Sequence, residues 1–197
     1  MCSRKTKIGI TGGIGSGKSY VCAMLVERGF PVFDCDDNAR AEMLENGELR
    51  DELRRLVSPD VFREDGQLDK PVIRRFLHSS PENAALFDGV VHPYVRMRWR
   101  RWAVAQVCDV VVMECALLFE AAFDSEVDLK VLVTAPDEMR VSRVMKRDGI
   151  DEHTVKRWID MQMPDGEKEL LSDFTIINDG SRELGAQLDE LLARIRS

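Results

Sequence analysis

Apolar positions along the chain follow two rhythms, and the switch between them outlines the fold. The runs KIGIT (7–11), PVFD (31–34), DVVVME (109–114), LKVLVTA (129–135) and DFTIIN (173–178) are short and rich in Val, Ile and Leu. Strands buried on both faces read this way. Between these runs, apolar residues recur every three or four positions. From Lys18 to Arg28 the spacing puts Val21, Met24 and Leu25 on one side and meets Gly29 as a stop, so it predicts a helix. Similar spacing predicts helices over about 136–147, 151–163 and 181–196. Strands alternating with helices predict a parallel five-stranded sheet with helices on both faces. The stretch from about 37 to 107 carries only helical patterns, far more than one crossover needs. It reads as a helical insertion into an α/β core formed by 1–36 and 108–197. The 197 residues suit a single compact unit.

Composition narrows the partners. The 44% hydrophobic and 32% charged residues are those of an ordinary globular protein, and the longest apolar runs are strand-sized, so no membrane partner is expected. MCSRKTK leads into the first strand without an apolar signal core, and the five cysteines form no C-x-x-C pair. Both features lead us to expect a cytoplasmic protein, with Cys22, Cys108 and Cys115 as buried packing residues. A formal charge of −7 argues against nucleic acid. Two basic stretches, RMRWRRW (96–102) and MRVSRVMKR (139–147), suit a small polyanionic ligand or, equally, solvated helix faces.

The segment ITGGIGSGKSY (10–20) contains G-x-x-x-x-G-K-[ST] as Gly12, Gly17, Lys18 and Ser19, between a predicted strand and a predicted helix. Glycines let such a loop turn its N–H groups inward onto phosphate oxygens. The expected nucleotide contacts are Gly13, Gly15, Ser16, Gly17, Lys18, Ser19 and the backbone of Tyr20. Lys18 would neutralise the β and γ phosphates, and the Ser19 hydroxyl would ligate Mg²⁺. A nucleoside triphosphate, taken as ATP, is the ligand this arrangement fits.

Phosphate binding alone does not separate a kinase from a switch GTPase or a motor. No N-K-x-D segment follows a late strand. The second strand, however, ends in FDCDD (33–37). Ligands of open α/β sheets sit beyond the carboxyl ends of strands, so Asp34 is expected on the loop's edge, where it can accept a proton from an acceptor hydroxyl. Asp36 could assist, or bind Mg²⁺ through water. Alternatively, Asp36 or Asp37 caps the helix that follows.

Taken in order, ITGGIGSGKS, VFDCDDNAR, VVHPYVR, ECALLFE, RVMKRDG, DMQMP and DFTIINDGS resemble the dephospho-coenzyme A kinases over nearly the whole chain. The resemblance implies transfer of the ATP γ-phosphate to the ribose 3'-hydroxyl of dephospho-coenzyme A by a P-loop kinase with a helical substrate lobe and a helical lid at about 138–165. It implies Asp34 as general base, His92 and Arg96 in the substrate lobe, and Arg143 and Arg147 of the lid over the phosphates. Arg140, on the same helix face, is expected to be solvated. Asn178, ending the last strand, is expected near the adenine, and a monomer is the expected state. Tyr20, Ala116 and Trp158 depart from the family's Thr, Pro and Arg, and Arg157 is a candidate to replace the last of these. Other readings are a kinase for nucleoside monophosphates or shikimate, and an ATP-binding regulatory protein.

Overall fold

A computed structural model of the chain describes residues 5–196. The elements begin with β1 (Thr6–Thr11), α1 (Lys18–Glu27), β2 (Val32–Asp34), α2 (Cys35–Glu45), α3 (Gly47–Leu56), α4 (Lys70–Ser79) and α5 (Pro81–Ala105). They continue with β3 (Val110–Glu114), β4 (Leu129–Thr134), α6 (Asp137–Asp148), α7 (Glu152–Asp160), α8 (Asp165–Leu171), β5 (Phe174–Ile177) and α9 (Leu184–Arg196). One compact unit comprises the residues up to Phe33 and those from Gln106 onward; a second comprises Asp34–Ala105. No helix among the described residues is long and apolar enough to cross a membrane.

The strands form one five-stranded sheet in the order β2-β3-β1-β4-β5. Pairing is parallel between β1 and β3, with Ile8 opposite Val112, between β1 and β4, with Ile10 opposite Val131, and between β4 and β5. Because side chains alternate across a pleated strand, Ile8, Ile10, Val112, Val131, Val133 and Ile176 share one face. There they meet Val21, Cys22 and Leu25 of α1 and Leu188 and Leu191 of α9 in a single buried cluster. On the other face, a Cβ placed on Gly9 would lie 3.0 Å from Leu118 and 3.0 Å from Val127. A side chain there would push away the segment that follows β3.

All five predicted strands are present, each within a residue or two of its expected bounds. Gly29, the expected stop of α1, takes φ +86°, and Cys22 and Cys115 are buried. Three expectations need correction. The helix expected over 151–163 stops at Asp160, and α8, packing on β4, was not anticipated. Cys108 is only partly buried, because it lies in the connection before β3 rather than under an element.

In the helical unit, α5 presents Phe87, Val91, Val95, Trp99 and Ala103 every fourth residue as a buried spine, against which α2, α3 and α4 pack. Glu42 of α2, 3% exposed, is satisfied by Arg98 at 3.2 Å and Arg101 at 3.6 Å. A buried carboxylate requires such partners.

Candidate active site

The loop between β1 and α1 is held from outside through its carbonyls. Arg140 Nε donates to Ile14 O at 3.0 Å, and Arg143 donates to Gly15 O at 3.3 Å. Asn178 Nδ2 donates to Ser16 O at 2.8 Å, and Arg143 in turn holds Asn178 O at 2.9 Å. Gly15 and Gly17 adopt φ +78° and +94°, a region that disfavours side chains. A Cβ on Gly17 would also lie 2.1 Å from Asn178 Nδ2. Among the described residues, the N–H groups of Gly15 and Gly17 have no protein acceptor. They join the unpaired N–H groups of the first turn of α1 as an anion cradle. Ser16, fully buried, has a hydroxyl without a partner among the described residues. Buried groups of this kind are normally satisfied, so it too fits a ligand.

At the floor of the cradle stands a carboxylate that sequence reasoning missed. Glu114, 6% exposed, closes β3. It accepts from Ser19 Oγ at 2.5 Å and pairs with Lys18 Nζ at 3.4 Å. The signal was present in the sequence as a lone acid ending the apolar run VVVM. Tyr20 is 63% exposed, so its bulk is accommodated in solvent.

The three arginines of α6 part company. Arg140 is 3% exposed rather than solvated, since it also pairs with Asp137 at 3.0 Å and Asp165 at 3.5 Å. Arg143 lies against the loop, as above. Arg147, one turn beyond it, is exposed and makes two 2.7 Å hydrogen bonds to Asp148, which raise its pKa. Asn178, at the end of β5, supports the loop through Ser16. Arg157 and Trp158 are both exposed, and no hydrogen bond or ion pair to another described residue holds either of them on the loop.

Two further supports lie between α7 and β5. Gln162 Oε1 accepts from Ile14 N–H at 2.8 Å, so both polar backbone groups of Ile14 are held by side chains. Replacing Gln162 with methionine removes that acceptor at similar volume. We expect a loss of about 1 kcal/mol, read as a Tm lower by roughly 2–4 °C in thermal unfolding. Lys168, with no exposed surface, pairs with Glu120 at 3.0 Å and donates to Ala116 O at 3.2 Å. Thr11 Oγ1 also donates to that carbonyl, so the turn after β3 is pinned without the family's proline.

In the helical unit, Asp34 caps α2. Its Oδ1 accepts from Asp36 N at 2.8 Å and Asp37 N at 3.0 Å, leaving Oδ2 without a protein partner among the described residues. The cap is therefore Asp34 itself, and Asp36 and Asp37 occupy the exposed first turn. The reason is that β2 runs into α2 with no intervening residue. His92 lies in the middle of α5, with Asp88 Oδ1 3.6 Å from its Nε2. Burial lowers its pKa; Asp88 opposes this and the nearby Arg96 adds to it, so the ring is neutral at physiological pH. Lys18, Ser19, Glu114, Arg143 and the loop glycines thus converge in one unit, while Asp34, Asp36, His92 and Arg96 belong to the other.

The dephospho-CoA kinase family matches residues 6–183. A dephospho-CoA kinase from Bacteroides fragilis is 40% identical over 188 residues, covering 95% of this chain and 91% of that protein. One from Thermus thermophilus is 39% identical over 189 residues, with the same 95% and 91%. A crystal structure of a Thermus thermophilus protein, 38% identical, superposes with a TM-score of 0.85 over 98% of each chain. Shikimate kinase from Acinetobacter baumannii, 16% identical with a TM-score of 0.52, covers 98% of this chain and 94% of its own and shares the fold alone. With a match across nearly its whole length, the chain belongs to the dephospho-CoA kinase family.

Proposed function

We propose that the chain transfers the γ-phosphate of ATP to the ribose 3'-hydroxyl of dephospho-coenzyme A, giving coenzyme A and ADP, with the residues above in the following roles. The observation that carries this reading is the loop whose carbonyls are tied outward by Arg140, Arg143 and Asn178 while Lys18 and Ser19 meet on buried Glu114. Backbone amides of Gly15, Gly17 and the first turn of α1 cradle the phosphates. Lys18 neutralises the β and γ groups, and Arg143 counters charge on the loose, metaphosphate-like group in transit. Arg147 can join it only by releasing Asp148.

Asp34 takes the proton of the 3'-hydroxyl as that oxygen bonds to the γ phosphorus and the bond to the β-phosphate oxygen breaks. Its Oδ1 is fixed by two backbone amides, which orients the open Oδ2. Arg96 suits the acceptor's diphosphate, with neutral His92 one turn away, and Asp36 is a second contact on the acceptor side.

The hard oxygen donors Ser19 and Glu114 fit Mg²⁺, and among the described residues no group of three or more His, Cys, Asp or Glu is placed to hold a metal ion by itself. A cation held by one or two protein oxygens and the substrate phosphates matches Mg²⁺. These two residues would hold it, and the ion would supply charge neutralisation at the phosphates. We place the enzyme in the cytoplasm as a monomer; among the described residues, Cys108 and Cys115 form no disulfide, which suits a reducing compartment.

Coupled ADP release tests the reading. Turnover of roughly 1–100 s⁻¹ with dephospho-coenzyme A is expected, a range ordinary for kinases, and far less with AMP, adenosine or shikimate. Equal basal turnover with all four would favour an ATP-binding regulatory protein instead.

A further inference from the structure

Of the basic stretch RMRWRRW (96–102), only Arg96 has a part in the reading above. Arg98, on the same helix α5, turns to α2 instead. Its Nη1 lies 3.2 Å from Glu42 Oε1 and 3.2 Å from Glu45 Oε2. Buried Glu42 is held at its other oxygen by Asn46 Nδ2 at 3.1 Å. The guanidinium is therefore fixed in place, and its Nε reaches a further group of α2, donating to Asn38 Oδ1 at 2.8 Å.

Pairing with Glu42 and Glu45 accounts for the charge of Arg98 and for docking of α2 on α5. It does not account for Asn38. Asparagine is a poor residue inside a helix, because its amide competes for backbone groups. Here it competes in one direction only. A guanidinium donates and never accepts, so Nε can face only the oxygen of the amide, and Nδ2 is left to point the other way. That Nδ2 donates to Asp34 O at 2.7 Å. The line from Glu42 through Arg98 and Asn38 thus ends on the backbone of the residue read as the general base, all of it within the helical unit.

A hold on the backbone matters because one fixed atom does not aim a carboxylate. Asp36 N and Asp37 N both bind Oδ1, and the side chain can still pivot about that atom as its backbone tilts. Holding the carbonyl fixes the Asp34 peptide plane and with it the Cα–Cβ bond, so Oδ2 keeps one position rather than a range. The charge-assisted bond from Arg98 is of the stronger kind, and it secures the far end of the line. Displacement of a reacting group by about 1 Å can cost roughly 100-fold in rate.

We infer that Asn38, kept in its orientation by Arg98, is a positioning residue for Asp34 in proton transfer. This rests on the functional reading above, in which Asp34 is the base, and adds to it what aims that base.

The test is a double-mutant cycle between positions 34 and 38. Asn38→Leu removes the donor at similar volume and should lower kcat by roughly 10-fold, the scale of a sub-ångström misplacement. The KM values for ATP and dephospho-coenzyme A should stay within about twofold of wild type. Asn38→Asp keeps an oxygen for Arg98 without the donor and should lose kcat likewise, so the test survives a leucine variant that does not fold; circular dichroism reports the fold of both. In the Asp34→Asn background no carboxylate remains to be aimed, so neither change should lower the residual kcat by more than about twofold. A merely structural role would lower kcat by the same factor in both backgrounds. That result, or an unchanged kcat in a folded Asn38→Leu protein, overturns the positioning role and leaves Asp34 as the base. Near-normal turnover in Asp34→Asn alone removes the base, and this inference with it.

Discussion

Replacing Arg143 with methionine is expected to reduce kcat by roughly 10³-fold or more, since a guanidinium on a transferring phosphoryl group contributes about 10³ to 10⁵ in rate. At ~1.4 kcal/mol per decade this is ~4–7 kcal/mol of barrier. Two effects are lost together. The charge that opposes the developing anion disappears, and so does the fork that holds Gly15 O and Asn178 O. Arg143→Lys separates them: it keeps a charge without the planar fork, so it should recover the electrostatic part only. Steady-state kcat with the coupled ADP assay is the measurement. A methionine variant within tenfold of wild type would make Arg143 a brace for the loop and nothing more.

Asp34→Asn is expected to lower kcat by roughly 10²- to 10⁴-fold, the usual worth of a positioned base. ATP binding, read by titration of a fluorescent nucleotide, should stay within about twofold of wild type, because nothing in the phosphate cradle changes. Asparagine suits this test because it caps helices as well as aspartate does. The bonds from Asp36 N and Asp37 N survive it, and with them the start of α2. Asp34→Ala would add a capping loss of about 1 kcal/mol and confuse catalysis with folding. Near-normal turnover in the asparagine variant would remove Asp34 as the base.

What the sequence made legible was contiguous. Strands buried on both faces are runs of apolar residues, and the phosphate loop is eight successive positions whose spacing carries its geometry. Distant pieces that meet only after folding were not legible. Arg140 reads as a surface residue on α6 until Ile14 O and Asp165 close on it. The helix α8 has seven residues with Gly166 near its start, and its buried position is Lys168, so no apolar rhythm announces it. Glu114 was read as the end of an apolar strand, although its charge was the informative feature. The cap of α2 was misplaced by two or three residues because a strand with no linker after it leaves its last carboxylate to do the capping.

The register of β1 bears on how the molecule is made. Its neighbours in the sheet begin at Val110 and Leu129, so about a hundred residues must leave the ribosome before Thr6 meets a partner. At translation rates of roughly 5–20 residues per second, Ile8 and Ile10 wait some 5–20 s with their backbone unpaired. The helices encoded in between can use local contacts throughout that time, so the first strand stays adhesive for seconds while the rest of its sheet is still being made.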